Sequence, residues 1–176
     1  TPKPSWAASD VYKRQIQDWR DIGLEPMVGV EYEANMFEPD GKGEWKPYDA
    51  AGSYVYGTGP CTDPRGVLEH IWDKINDVGL PIESMNSEFD AAQYEMTLHY
   101  RDALGAIDDA FLFRLMSREI ATEMGLLMSF MPKPHSDMGG SGFHINFSLN
   151  DPHGNNVLAD PSAEDGLADL TRHAVA

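Results

Sequence analysis

Positive charge and cysteine are what this chain has least of. Thirteen Lys and Arg stand against 29 Asp and Glu in 176 residues, a formal net charge of −16. A surface this acidic repels phosphate backbones and anionic headgroups, which argues against a nucleic-acid groove or an anionic membrane as partner. It suits a protein that holds cations, and it equally suits an ordinary solvated acidic surface. Cys61 is the only cysteine. No intramolecular disulfide can form, a multi-cysteine zinc knot is excluded, and a reducing compartment fits. No apolar run approaches the roughly 20 residues that span a bilayer, and the first residues lack the apolar core of a signal peptide. A cytoplasmic location is the expectation.

What is present suffices for one core: 41% of the residues are hydrophobic. Residues 1–24 read as a tail or the remnant of a preceding region. Within them 1–15, TPKPSWAASDVYKRQ, read as foreign to the domain, because the DVYKRQ end resembles translated adapter read-through in assembled environmental sequence. Ile16, Trp19 and Ile22 could form a short helical face ending at Gly23. From Met27 the period becomes two. Val28, Val30, Tyr32, Ala34 and Met36 alternate with Gly29, Glu31, Glu33 and Asn35, the pattern of a half-buried strand. Residues 38–61 read as a long excursion without regular structure.

Asp63 before Pro64 is an N-cap candidate for a helix with Val67, Leu68, Ile71, Trp72, Ile75 and Val78 buried and Gly79 closing it. Leu80 to Met85 and Gln93 to His99 read as strands. Asp102 to Met124 reads as a helix burying Leu104, Ile107, Phe111, Leu115 and Met116. Leu126 to Met131 is a strand leading into MPKPHSDMGGSGFHINFSL. There Phe143, Ile145, Phe147 and Leu149 make an apolar face for the core, while His144, Asn146 and Ser148 point the other way. Ser162 to Asp165 reads as the start of a helix carrying Leu167 and Leu170, cut at Ala176. Antiparallel strands broken by amphipathic helices make the fold class α+β.

Glu31 and Glu33 stand side by side on one strand face with no Lys or Arg in the strand. Two carboxylates about 4 Å apart repel by about 4 kcal/mol at an effective dielectric near 20. Solvent or a divalent cation would relieve them. Glu88 and Glu95 form a second pair, and seven residues apart they share a site only if Asp90-Ala91-Ala92 bends the chain. His144 adds an imidazole beside Gly139-Gly140-Ser141-Gly142, a loop that permits close backbone approach to an anion and that is also an ordinary connector. Four carboxylates and one His make a hard, oxygen-rich set suited to Mg²⁺ or Mn²⁺, and two such ions beside a glycine loop suit phosphoryl transfer.

Three stretches carry a family resemblance. VGVEYEANMFE, ESMNSEFDAAQYEM and MPKPHSDMGGSGFHINFSL occur in the order of the metal strand, the second acidic segment and the MPKP…GSGxHxxxSL signature of the glutamine synthetase family, which residues 27–176 resemble. The resemblance implies a catalytic-domain fragment over 25–176, with a largely antiparallel curved sheet and flanking helices. It implies an ATP-dependent ligase that phosphorylates the γ-carboxylate of glutamate and lets ammonia or a small amine displace the phosphate. By position, Glu33, Glu88 and Glu95 resemble ligands of the metal that assists amine attack, and Glu31 and His144 ligands of the metal that bridges the ATP phosphates. Glu83 and Ser148 fall where the family contacts ATP, Tyr100 near the nucleotide base, and Gly140 where the loop backbone meets glutamate.

Three departures bear on the acceptor: Asn86-Ser87 where the family often has a His pair, Asn146 in place of a second His, and Met138-Gly139 where the loop has Asp-Asn. Relatives altered there include ligases for polyamines, ethanolamine or methylamine, so Gly139 and Asn146 join Gly140 as expected substrate residues. The resemblance further implies a homo-oligomeric ring, a missing N-terminal domain, and catalytic residues beyond position 176, so that this chain alone does not turn over. A non-catalytic relative, or simply an acidic metal-binding α+β domain, are the alternative readings.

Overall fold

One strand of fifteen residues carries the architecture. The protein is described by a computed structural model over residues 8–175. In chain order the elements are α1 (Ala8–Asp21), β1 (Glu25–Pro39), β2 (Trp45–Pro47), α2 (Val67–Asp77), β3 (Ile82–Ser87), β4 (Gln93–Leu98), β5 (Arg101–Asp102), α3 (Ala103–Glu123), β6 (Leu127–Ser129), β7 (Phe143–Asn150) and α4 (Asp169–Val175). Among the described residues β1 is hydrogen-bonded to β2, β4, β5, β6 and β7, each antiparallel, and β3 adds outside β4. The fold is α+β, a curled antiparallel sheet with flanking helices. No helix among the described residues is long and apolar enough to cross a membrane.

The alternation expected in β1 holds. Val28, Val30, Tyr32, Ala34 and Met36 are buried, as are Tyr94, Met96 and Leu98 of β4. With Val67, Leu68, Ile71 and Ile75 of α2 and the inner face of α3 they form the hydrophobic core on one side of the sheet. The opposite face of β1 and β4 therefore carries the polar residues.

Several elements differ from the sequence reading. The tail assigned to 1–15 becomes helix from Ala8; the reading of residues 1–7, and the cut at Ala176, lie outside the described residues. That helix does close near Gly23, whose φ of 81° lets Gly23 and Leu24 donate back to Arg20 and Trp19. The 38–61 excursion contains β2, paired with the end of β1. Asp63 is not the N-cap of α2: the helix starts at Val67, and the N-cap is Gly66 at φ 67°. The Asp63 side chain is instead buried, accepting from the Tyr48 hydroxyl at 2.9 Å and the Leu68 amide at 2.7 Å. Trp72 and Val78 lie outside the buried stripe of α2. The last helix begins at Asp169 rather than near Ser162, because Asp160 and Asp165 hold 160–167 in turns.

The largest correction concerns α3. Ala103, Ala106, Ala110, Phe113, Ser117, Ile120 and Ala121 face the sheet, while Ile107, Phe111 and Leu115 are exposed and Leu104 and Met116 only partly buried. Alanines let the helix approach the sheet closely, with Phe113 and Ile120 as the larger inserts and Phe113 stacked 6.1 Å from Tyr32. On β7 only Leu149 reaches the core; Phe143, Ile145 and Phe147 are exposed. Ile145 and Phe147 line an apolar groove of about 610 Å³ with Ile16, Trp19, Leu104 and Ile107.

Asp63 gives the fold a direct test. Replacing it with Ala strands the Leu68 amide and removes the acceptor of the Tyr48 hydroxyl, which keeps only the Arg65 amide as donor, and is expected to cost about 2–4 kcal/mol in urea unfolding. A change under about 0.5 kcal/mol, the size of a neutral surface substitution, would show that this carboxylate does not tie the 48–68 segment together.

Candidate functional site

The register of three strands assembles the acidic residues. Glu31 faces His144 of β7 on one side and Thr97 of β4 on the other, and Glu33 faces Glu95 of β4. Glu95 in turn faces Asn86 of β3. Glu88 joins them because β3 and β4 form a tight hairpin, in which the Glu88 amide bonds to the Gln93 carbonyl and that of Gln93 to Asp90. The bend required at Asp90-Ala91-Ala92 is therefore a chain reversal. Ala92 sits buried at φ 64°, a conformation L residues enter at a cost of about 1–2 kcal/mol, and its carbonyl accepts from the Met36 amide. Glu31, Glu33, Glu88, Glu95 and His144 thus share one sheet face.

Uncharged donors orient these carboxylates. Glu31 Oε1 accepts from Asn146 Nδ2 at 2.7 Å. Glu33 Oε2 accepts from the Gly142 amide at 2.9 Å and from Gln93 Nε2 at 3.1 Å. The His144 ring lies between them, Nε2 at 3.4 Å from Glu33 Oε1 and Nδ1 at 3.7 Å from Glu31 Oε2. Among the described residues no Lys or Arg forms an ion pair with Glu31, Glu33, Glu88 or Glu95. Glu95 shows the consequence: burial first, then the charges of Glu88, Glu31 and Glu33, push its pKa above the usual carboxylate range, with His144 opposing.

The donor set, four carboxylates and an imidazole, is that of a hard divalent cation. Among the described residues no three His, Cys, Asp or Glu side chains close on one point as they stand. Gly142 bears on their spacing: a Cβ there would run into the His144 ring and the Glu33 carboxylate, so glycine is what lets the loop close against this cradle of donors, whose chemistry fits the ion.

Beside the cradle runs the glycine loop. The Ser141 amide bonds to the Pro132 carbonyl, Ser141 Oγ to Asn35 Oδ1 at 2.9 Å, and the Gly142 carbonyl accepts from the Glu33 amide at 3.1 Å. Gln93 Nε2 also donates to the Gly140 carbonyl at 2.8 Å, and the Gly139 amide donates to Asp90. The sequence does not single out Gln93, Asn35 or Asp90 as site residues, and it offers Gly142 only as part of the glycine loop. The signal was there for Asn35 and Gln93, since alternation put them on the faces of Glu33 and Glu95.

The expected nucleotide residues divide. Ser148 and Tyr100 line one cavity of about 190 Å³ with Met27, Gly29, Asn146 and Phe147. Tyr100 reaches this face, against the parity of β4, because the six residues from Thr97 to Asp102 lie opposite only five on β1, Glu31 to Met27. Gly29 leaves it room; a Cβ there would stand 3.3 Å from that of Tyr100. Glu83 does not line this cavity and pairs with His99 at 3.5 Å. Asn146 lines the cavity of Ser148 and Tyr100 while donating to Glu31. Ser87 is buried and bonds Tyr54 and Gly57, so of the pair Asn86-Ser87 only Asn86 shares the face of Glu95.

Residues 9–176 match the family model of the glutamine synthetase catalytic domain. The chain belongs to the glutamine synthetase family. It is 30% identical over 164 residues to the glutamate–methylamine ligase of Methyloversatilis universalis, covering 90% of this chain and 36% of that protein. It is 32% identical over 168 residues to the glutamine synthetase of Clostridium saccharobutylicum, covering 94% and 37%. A crystal structure of a glutamine synthase homologue superposes with a TM-score of 0.81 at 23% identity, over 98% of this chain and 38% of that one, a likeness of fold. The chain thus spans little more than a third of the length of these glutamine synthetase relatives.

The Glu95 shift sets a pH dependence. A raised carboxyl pKa penalises the folded state only where the unfolded chain is ionised, so the penalty is absent below the ordinary carboxylate range, grows as pH rises through it, and is complete above the raised value. Glu95→Gln in chelator is expected to raise the thermal midpoint by a few degrees at about pH 7.5 and to leave it unchanged at about pH 4. Destabilisation at both pH values would contradict the crowding of charge around Glu95.

Proposed function

We propose that this chain is the metal-holding part of an ATP-dependent glutamate–ammonia or glutamate–amine ligase. The observation that carries the reading is the placement of Glu31, Glu33, Glu88, Glu95 and His144 on one sheet face with their charge left uncompensated by Lys or Arg among the described residues. In this reading Glu33, Glu88 and Glu95 hold one Mg²⁺ or Mn²⁺ and Glu31 and His144 a second. Divalent ions there would supply charge neutralisation of the transferring phosphate.

The chain's own residues do the rest. Ser148 and Tyr100 receive the nucleotide at one end of the face, with Glu83 at its margin. Gly139 and Gly140 present backbone groups to glutamate at the other end. Asn146 keeps Glu31 turned toward His144. The glutamate γ-carboxylate takes the terminal phosphoryl group of ATP, releasing ADP, and the amine then displaces phosphate to form the amide. A glutamine synthetase and a glutamate–methylamine ligase match this chain about equally, so the acceptor is proposed as ammonia or a small primary amine, with Asn86 and the Met138-Gly139 stretch as its determinants. A ring of subunits and the remaining sequence of a longer protein complete the site.

Calorimetric titration of the chain with Mn²⁺ tests this. Binding is expected, weakened about 10–100-fold by Glu33→Ala or Glu95→Ala. No heat of binding, or affinity unchanged in both variants, would overturn the assignment. Steady ADP release from the 176-residue chain given glutamate, ATP, Mg²⁺ and an amine would overturn the expectation that it needs further sequence to turn over.

A further inference from the structure

We propose that Gln93 is a positioning residue that locks the glycine loop and the Glu33 carboxylate into one unit, so that residues 139–142 and the centre of the acidic face move together. Its burial is the first observation: Gln93 is 2% exposed at the start of β4, on the sheet face otherwise given to charged groups. A buried amide needs partners on both its donor and acceptor sides. Gln93 finds them on three different segments. Nε2 donates to Glu33 Oε2 on β1 and to the Gly140 carbonyl in the loop, and Oε1 accepts from the Asp90 amide in the hairpin turn at 3.3 Å.

The neighbours close the circuit. Asp90, held by Gln93, accepts from the Gly139 amide, and Glu33 Oε2, also held by Gln93, accepts from the Gly142 amide. Both sides of the loop, at Gly139 and Gly142, are therefore fastened to groups that Gln93 itself orients. With Oε2 of Glu33 occupied by two donors, Oε1 is the oxygen turned toward His144 and the open cradle. Only an amide fits this role. A carboxylate at 93 would face Glu33 and the Gly140 carbonyl with no proton to give, and an aliphatic side chain would take a partner from the Gly140 carbonyl, the Asp90 amide and Glu33 Oε2 at once. A further consequence rests on the metal reading above: an ion drawn to Glu33 Oε1 stiffens the loop through the same clamp, and by linkage the loop favours the ion.

Hydrogen exchange read by mass spectrometry on the whole chain tests both parts. Wild type, Gln93→Met, which keeps the volume without the hydrogen bonds, and Gln93→Glu are compared in chelator. Exchange in 139–142 is expected to quicken about tenfold in both variants while the core of α3 keeps its protection. Loop exchange equal to wild type, or acceleration spread evenly over β1, β4 and α3, would overturn the clamp. Asp90→Ala, which leaves Gln93 in place, is expected to quicken Gly139 more than Gly142 and to loosen the loop less than the Gln93 variants do; loosening of the whole loop as large as theirs would overturn the assignment to Gln93. With Mn²⁺ added, loop exchange is expected to slow in wild type and not in the Gln93 variants. Loss of the clamp in chelator without any Mn²⁺ effect in wild type would sustain Gln93 as the positioning residue and overturn the metal reading alone.

Discussion

Two carboxylates facing each other across neighbouring strands, Glu33 on β1 and Glu95 on β4, constrain everything around them. Like charges directly opposite in a sheet are destabilising, and here Glu31 and Glu88 add to the repulsion. The fold sustains this because β1 is fixed from both edges and packed from below. Its apolar side belongs to the core with α2 and α3, and a one-residue slip would expose Val30, Tyr32 and Ala34 while burying the glutamates. Core packing thus sets the register, and the register sets the acidic face.

The chemistry of the donors around that face points the same way. Glu31 and Glu33 are oriented by an asparagine, a glutamine and a backbone amide, groups that aim an oxygen without cancelling its charge. The Lys and Arg ion pairs among the described residues lie elsewhere: Arg20 with Glu25, Lys46 with Glu38, Arg101 with Asp102 and Asp109, and Arg172 with Asp165 and Asp169. Exposed pairs of that kind contribute little to stability. Asp63 makes the contrast within the protein. Its carboxylate is consumed by fold contacts with Tyr48 and Leu68, whereas the acidic face keeps its charge available to a ligand.

Much of this was legible in the sequence, and the failures share a cause. Period-two alternation located β1 and β4 and placed Glu31, Glu33 and Glu95 on the polar side, because apolar burial on one side of a strand leaves no other place for them. Facing partners across strands were not legible, since register depends on residues far apart in sequence. Hence alternation puts Gln93 on the face of Glu95 but gives no sign that it links Glu33 to the glycine loop. The α3 face was misjudged because size was taken as the sign of burial; close helix–sheet approach selects alanine, and Ile107, Phe111 and Leu115 face outward. Likewise Tyr100 crossed to the polar face only through the extra residue between Thr97 and Asp102.

The central claim is that the acidic face is a divalent-cation site and not merely part of an acidic surface. Paramagnetic broadening by substoichiometric Mn²⁺ in amide-resolved NMR spectra of the chain addresses it most directly. The amides of Glu31, Glu33, Glu95, Gly142 and His144 are expected to broaden first, while those near Asp160 and Asp165, acidic but partnered by Arg172, persist. Broadening that appears evenly over every acidic stretch would contradict it.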